Sequence, residues 1–476
     1  MLTFLFCLGF LLLGYFVYAR FLEKKFGVNP QAETPAFRLY DGIDYLPMKT
    51  WRVFFIQFLN IAGLGPIFGA VAGAMWGPVA FLWIALGCVF AGGVHDYFAG
   101  MISLREDGLS LPEIIGKYLG NAVKQFARIF TVLLMIIVGV VFIKGPAAIL
   151  FAMTAAWSNE LFWIILIFAY FVLATLMPID KLIGRIYPIF GLGLIFMAVG
   201  ISWAIFSGEY AILNINLDFV KVNLHANPEK FPVFPLLFVS IACGSISGFH
   251  ATQSPLMARC MKNERNGRPV FFGAMVTEGV VALIWAAIAM SFFGGVRELN
   301  QEMTAIGGNA AKVVNDIANT VLGPVGAVLA LLGVVIAPIT SGDTAFRSAR
   351  LIIADVFSIS QLQLKNRLLI SIPMFAVGLI LTFLNFDIIW RYMAWMNQTL
   401  AAITLWAITA YMVKHNKSIW MSLVPAVFMT AVTSVYILIT SEGVGLTKQL
   451  AYVLGGSITV ILSVRFMCFY RKNNCT

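Results

Sequence analysis

Thirteen stretches of this chain stay apolar for roughly the 20 residues that a helix needs to cross a bilayer. They lie near 2–22, 52–75, 79–104, 123–150, 162–178, 187–207, 233–255, 270–293, 320–341, 366–384, 388–411, 418–440 and 446–468. Of the residues, 60% are hydrophobic and 11% charged, more apolar surface than a soluble fold can bury. The composition predicts an all-α polytopic membrane protein with about 13 transmembrane helices. The longest gaps, 23–51, 208–232 and 294–319, read as loops, and no soluble domain fits between them.

A net charge of +10 invites comparison with nucleic-acid binders, but the distribution of that charge argues for topology instead. With the N-terminus placed outside, inside-facing segments hold 25 Lys and Arg and outside-facing segments hold six. This is the positive-inside bias, and it predicts a cytoplasmic C-terminus with no nucleic-acid partner. The leading helix, residues 1–25, lacks a basic n-region and reads as a retained span, although Val17-Tyr18-Ala19 weakly resembles a cleavage site. Cys7, Cys88, Cys243, Cys260, Cys468 and Cys475 have no CxxC spacing and read as structural thiols, with neither a disulfide framework nor a metal site indicated.

Two apolar stretches are interrupted, 180 positions apart: Asn60-Ile61-Ala62-Gly63-Leu64-Gly65-Pro66 and Ser240-Ile241-Ala242-Cys243-Gly244-Ser245-Ile246-Ser247-Gly248. Glycine is a poor helix former and Pro66 lacks an N–H, so backbone groups leave the ladder there. Within lipid this is tolerated only where the backbone is buried in protein or lines a cavity. Setting the leading helix aside, the breaks fall in spans one and six. That arrangement predicts inverted repeats over residues 52–207 and 233–411, followed by two extra helices over 418–468. Gly65, Gly69, Gly73 and Gly77 recur every fourth residue, a spacing that favours close helix packing, the more so from Gly69 on.

Each break creates helix ends with unpaired N–H groups and a partial positive charge. Gly63, Gly65, Gly244, Ser245 and Ser247 are thereby candidate carboxylate binders, with hydrogen bonding added by Asn60, Ser240, His250, Thr252 and Gln253. Ala337, Thr340 and Ser341 sit at i, i+3 and i+4 around Pro338, and their neutral oxygens suit a Na+ ion whose shell the span-one break completes. The competing reading is hydroxyls bonded back to their own helix. Glu278, His95 and Asp96 lie at membrane depth and form a candidate proton relay. Lys144-Gly145-Pro146 predicts a kink, Asp343 and Arg347 an i, i+4 ion pair, and 341–360 an extension lying on the inside surface.

Metalloprotease, hydrolase, Walker A and dinucleotide-binding signatures are missing from the sequence, and so is an ATPase domain. No enzyme activity and no cofactor are expected; the implied partners are a small-molecule substrate, a coupling ion and the lipid bilayer. The alternatives are a membrane-embedded nutrient sensor and an intramembrane enzyme using His95, Asp96 and His250.

Four ordered motifs together resemble the carbon starvation protein A family. They are residues 61–66, 92–96 (Gly-Gly-Val-His-Asp), 241–250 and 341–350 (Ser-Gly-Asp-Thr-Ala-Phe-Arg-Ser-Ala-Arg), and the likeness runs from about 27 to 365. The resemblance implies a bacterial inner-membrane transporter of peptides or, in some members, pyruvate. It also implies the five-plus-five inverted-repeat, leucine-transporter-like core of the amino acid–polyamine–organocation superfamily. In that superfamily a span-eight spacing like that of Ala337, Thr340 and Ser341 binds sodium, whereas the family's pyruvate carriers use protons. Long members continue well past 476 residues, so this chain reads as a compact version.

Overall fold

Every one of the thirteen apolar stretches is helical in whole or in part, as expected where a helix can satisfy its own backbone groups in lipid. The computed structural model describes residues 1–176, 179–215, 222–361 and 363–474; Lys221, Cys475 and the side chain of Ala337 lie outside that description. No strand occurs among the described residues. The main helices are α1 (Leu2–Phe26), α2 (Thr50–Ile61), α3 (Gly65–Ala74), α4 (Val79–Arg105), α5 (Asn121–Thr154), α6 (Glu160–Leu176), α7 (Ile179–Phe206), α8 (233–240) and α9 (Gly248–Ala258). They continue with α10 (Glu264–Phe292), α11 (Ala310–Ala330), α12 (Ala337–Phe357), α13 (Leu364–Leu381), α14 (Phe386–Lys414), α15 (Trp420–Ile439) and α16 (Lys448–Asn474). Among the described residues seven helices are long and apolar enough to cross a membrane singly, and α2 with α3 makes an eighth crossing bent by 51°.

Loop contacts sort the helix ends into two faces. On one, Arg105 pairs with Glu264 at 2.9 Å, Arg259 Nε donates to the Gly108 carbonyl, and Lys417 Nζ donates to the Phe26 carbonyl. On the other, the Met1 amino group meets the Ile212 carbonyl at 2.7 Å, Asn300 Nδ2 donates to Met75, and Arg391 pairs with Glu442. These are the groupings that alternating spans require, and the first face carries the basic loops.

α5 stays helical through Pro146, and Gly145 packs against Leu64 at the first break; a Cβ there would stand 2.7 Å from the Leu64 side chain. One local expectation meets a different outcome in part: the first half of segment 341–360 does not lie on the surface, although residues 355–358 are exposed as expected. From Ser341 to Arg350 every residue of α12 is buried, and the helix packs along α5 with the Phe346 ring seated on Gly139. Its charges are tolerated because they find partners. Arg347 donates to the Ala174 carbonyl at 2.8 Å and lies 3.9 Å from Asp44, Tyr170 donates to Asp343, and Arg350 donates to Gln361.

Candidate functional site

Both breaks are unwound, and each is held open by groups from elsewhere in the chain. At the first, Ala62 leaves the helical region (φ −82°, ψ 37°) and its N–H makes the last bond of α2, to Phe58. In a continued helix the Leu59 carbonyl would accept from Gly63. Here it accepts instead from the Ser341 hydroxyl of α12, at 2.7 Å. Thr344, one turn beyond Thr340, donates to Asn60 Oδ1 at 3.3 Å and to the Ser341 carbonyl at 2.9 Å. Ser341 and Thr344 of α12 therefore sit against the span-one break. Thr344 was missed in the sequence, although its i+4 spacing from Thr340 placed it on the same face.

The second break runs from Ile241 (φ −94°, ψ 67°) to Ser247, where α9 begins. Trp83 Nε1 of α4 donates to the Ile241 carbonyl at 3.2 Å, and Gln398 Nε2 of α14 donates to the Ile246 carbonyl at 3.1 Å. Asn397 Oδ1 accepts from the Phe249 N–H at 3.2 Å, capping the first turn of α9. Ser245 donates to the Trp83 carbonyl, while the fully buried Ser247 hydroxyl has no hydrogen-bond partner.

The glycines let these segments touch. A Cβ on Gly65 would stand 2.1 Å from the Cys243 Cβ, one on Gly69 would stand 2.9 Å from the Ser240 carbonyl, and one on Gly73 would stand 2.2 Å from Ile241. Gly244 packs on Ala282, and Gly63 on Phe142 and Ser341. Spans one and six are therefore in direct backbone contact, as the glycine ladder predicted for Gly69 and Gly73. Open volume lies towards the two faces. A cavity of about 450 Å³ on the Met1 face is lined by Trp76, Ser240, Trp390, Arg391 and Tyr436. Another of about 500 Å³ on the basic face is lined by Tyr45, Ser110, Arg259 and Asp355.

Behind the breaks the structure joins four buried ionisable groups from three helices. His95 Nδ1 is 2.7 Å from Asp96 Oδ1, and Asp96 Oδ2 is 2.9 Å from His250 Nδ1. His250 Nε2 lies 3.5 Å from Glu278 Oε2. All four side chains are fully buried, and neither Glu278 oxygen has a hydrogen-bond partner. His250, expected among the substrate-binding groups, is thus the link between His95–Asp96 on α4 and Glu278 on α10. Close approach makes this possible: Gly92 brings α4 so near the second break that a Cβ would stand 2.2 Å from the Ser245 carbonyl. Thr252 and Gln253 face away from this chain. Thr252 donates to Phe249, and Gln253 donates to Thr252 and Ser348.

The model of the family described as "Carbon starvation protein CstA" matches residues 1–201 and 147–325. The chain belongs to that family. It is 42% identical over 351 residues to an uncharacterized membrane protein of Haemophilus influenzae, covering 64% of this chain and 95% of the relative. It is 28% identical over 339 residues to the pyruvate/proton symporter BtsT of Escherichia coli, and 27% identical over 372 residues to the peptide transporter CstA of Campylobacter jejuni. These alignments cover 59% and 65% of this chain but 47% and 52% of the relatives, so the chain spans about half the length of its transporter relatives. Among solved structures, Mhp1, a nucleobase-cation-symport-1 family transporter, superposes with a TM-score of 0.55 at 15% identity, covering 94% of this chain and 96% of Mhp1. A manganese transporter of Eremococcus coleocola gives 0.50 at 13% identity, covering 91% and 97%. At such low identity these two likenesses speak for the fold alone. This carbon starvation family member is a multi-pass membrane protein, without strands among its described residues, whose fold is similar to that of Mhp1.

Proposed function

We propose that this chain is a secondary active transporter importing a small carboxylate-bearing nutrient, a peptide or pyruvate, across a bacterial plasma membrane with the basic face inside. The observation that carries the reading is the contact of two unwound segments at the centre of the bundle, each interrupting the regular helical ladder. Helix ends so placed attract a substrate carboxylate and form and dissolve as the two halves move. Asn60, Gly63 and Gly65 from the first break, with Gly244, Ser245 and Ser247 from the second, would surround the carboxylate once the two segments part. The cavities on the two faces would serve as entry and exit.

Coupling is assigned to protons, moved along His95, Asp96 and His250 and across a 3.5 Å gap to Glu278, all buried. Sodium is the second reading, favoured by the Ser341 hydroxyl and the Leu59 carbonyl meeting where a cation shell from Ala337, Thr340 and Ser341 would form. Purified protein in proteoliposomes, offered pyruvate, amino acids and di- and tripeptides under imposed H+ or Na+ gradients, separates these readings. Accumulation driven by the proton gradient is expected. Specific binding without accumulation under either gradient would instead indicate a sensor.

A further inference from the structure

We propose that Cys243, His250 and Glu278 form a binding site for a divalent transition-metal ion of the zinc class. Cys243 Sγ, a ring nitrogen of His250 and a carboxylate oxygen of Glu278 lie within 4.8 Å of one another, all buried. Donors about 2.0–2.3 Å from a tetrahedral zinc ion stand roughly 3.3–3.8 Å apart. The 3.5 Å between His250 Nε2 and Glu278 Oε2 already falls in that range. Both donor groups are aimed at the site without being used elsewhere, since His250 Nε2, Glu278 Oε1 and Glu278 Oε2 lack hydrogen-bond partners. Such buried orphan atoms call for a ligand that satisfies all of them together.

The surroundings are those of a metal-bound imidazole. Asp96 Oδ2 holds His250 Nδ1 at 2.9 Å, which fixes the ring and leaves Nε2 to donate its lone pair inward. Asp96 is in turn held by His95 at 2.7 Å, giving a carboxylate–histidine support behind the first ligand. Gly65 makes the sulfur's position possible, because any side chain there would collide with the Cys243 Cβ. A thiolate, an imidazole and a carboxylate together bring two negative charges and mixed S, N and O donors. That set favours Zn2+ or Co2+ over Mg2+ or Ca2+. Three protein ligands leave a fourth position open to water or to a substrate carboxylate.

The site itself does not depend on the transport reading; its effect on uptake does. An ion there would occupy His250 and Glu278 and tie the second break to α10, so it should stop proton-driven uptake. The test uses the full chain in lipid nanodiscs, freed of metal and titrated with Co2+ and Zn2+. Expected are one ion retained per chain, a thiolate-to-cobalt charge-transfer band, and displacement of cobalt by zinc. Cys243→Ser should lose the band and bind at least about tenfold more weakly, and Glu278→Gln should weaken binding with the band retained. Unchanged thermal unfolding of the metal-free variants establishes that they fold. No retained ion in wild type, or equal binding by wild type and Cys243→Ser, overturns the site. Proton-driven uptake that persists in the metal-loaded protein overturns only its inhibitory role. Metal binding without any uptake leaves the site standing and removes the transport reading.

Discussion

The first break spans three residues, Ala62 to Leu64, and one hydroxyl from α12 caps its freed Leu59 carbonyl. The second spans seven, Ile241 to Ser247, and is braced by Trp83, Asn397 and Gln398 from two helices. The first is built from glycine and proline, while the second carries Cys243 and leads into His250. Both interrupt a buried span, but their chemistry differs. A short, lightly capped break suits a joint, and a long, braced break beside an ionisable chain suits the place where ions and substrate are handled.

That division predicts its largest effect at the second break. His250→Ala should reduce gradient-driven uptake in proteoliposomes to background, whereas Asn60→Ala at the first break should leave a measurable rate. Equal loss from both would erase the distinction. Next in size is packing between the breaks. Gly65→Ala places a Cβ on Cys243 and should cost about 1–3 kcal/mol, read as a lower unfolding temperature in detergent. Gly456→Ala is its control, with nothing within 4 Å, and should be neutral or slightly stabilising.

The caps come third. Asn397→Ala leaves the buried Phe249 N–H unpaired and should cost about 1–3 kcal/mol. Ser341→Ala removes one bond to a carbonyl and should cost about 1 kcal/mol. The reverse order, measured by thermal unfolding, would make the first break the more dependent on its cap. If sodium drives uptake, Thr340→Val with Ser341→Ala should also abolish the sodium response.

The smallest effect concerns the loop over the Met1-face end of the first broken span, where His225 stacks on Phe231 with centroids 4.3 Å apart and packs at a tilt against Trp76. Burial lowers the His225 imidazole from 6.5 to about 4, and its Nδ1 accepts from the Asn227 N–H. The neutral ring is the one that fits. Its contribution to stability is fully present above pH 6.5 and is lost progressively as pH falls towards about 4. Hydrogen exchange of residues 222–232, corrected for intrinsic rates, should accelerate across that interval, and a flat profile would contradict the packing.

Much of the fold was legible because lipid imposes a length on each helix and because glycine and proline announce where a helix gives way. The span-eight hydroxyls were legible for a similar reason, since i, i+3 and i+4 lie on one face. Burial of α12 was not, because Arg347 and Arg350 look like surface residues until Ala174, Asp44 and Gln361 are known to meet them. The caps from Asn397 and Gln398 were hidden by some 150 residues of intervening chain. So was the meeting of Cys243, His250 and Glu278. Local spacing carries no information about which helices become neighbours, and the cost of burying charge picked out His95, Asp96 and Glu278 without showing that His250 joins them.

The hydroxyl bridge from Ser341 to Leu59 has a mechanical corollary. It fastens α12 to the Thr50–Ile61 half of span one at its weakest point, so any parting of the two must sever it. A neutral bond of this kind is worth about 1 kcal/mol net, under twice the thermal energy of about 0.6 kcal/mol. A clasp that weak orders the resting arrangement yet lets go spontaneously, so its release would not by itself limit the speed of a transport cycle.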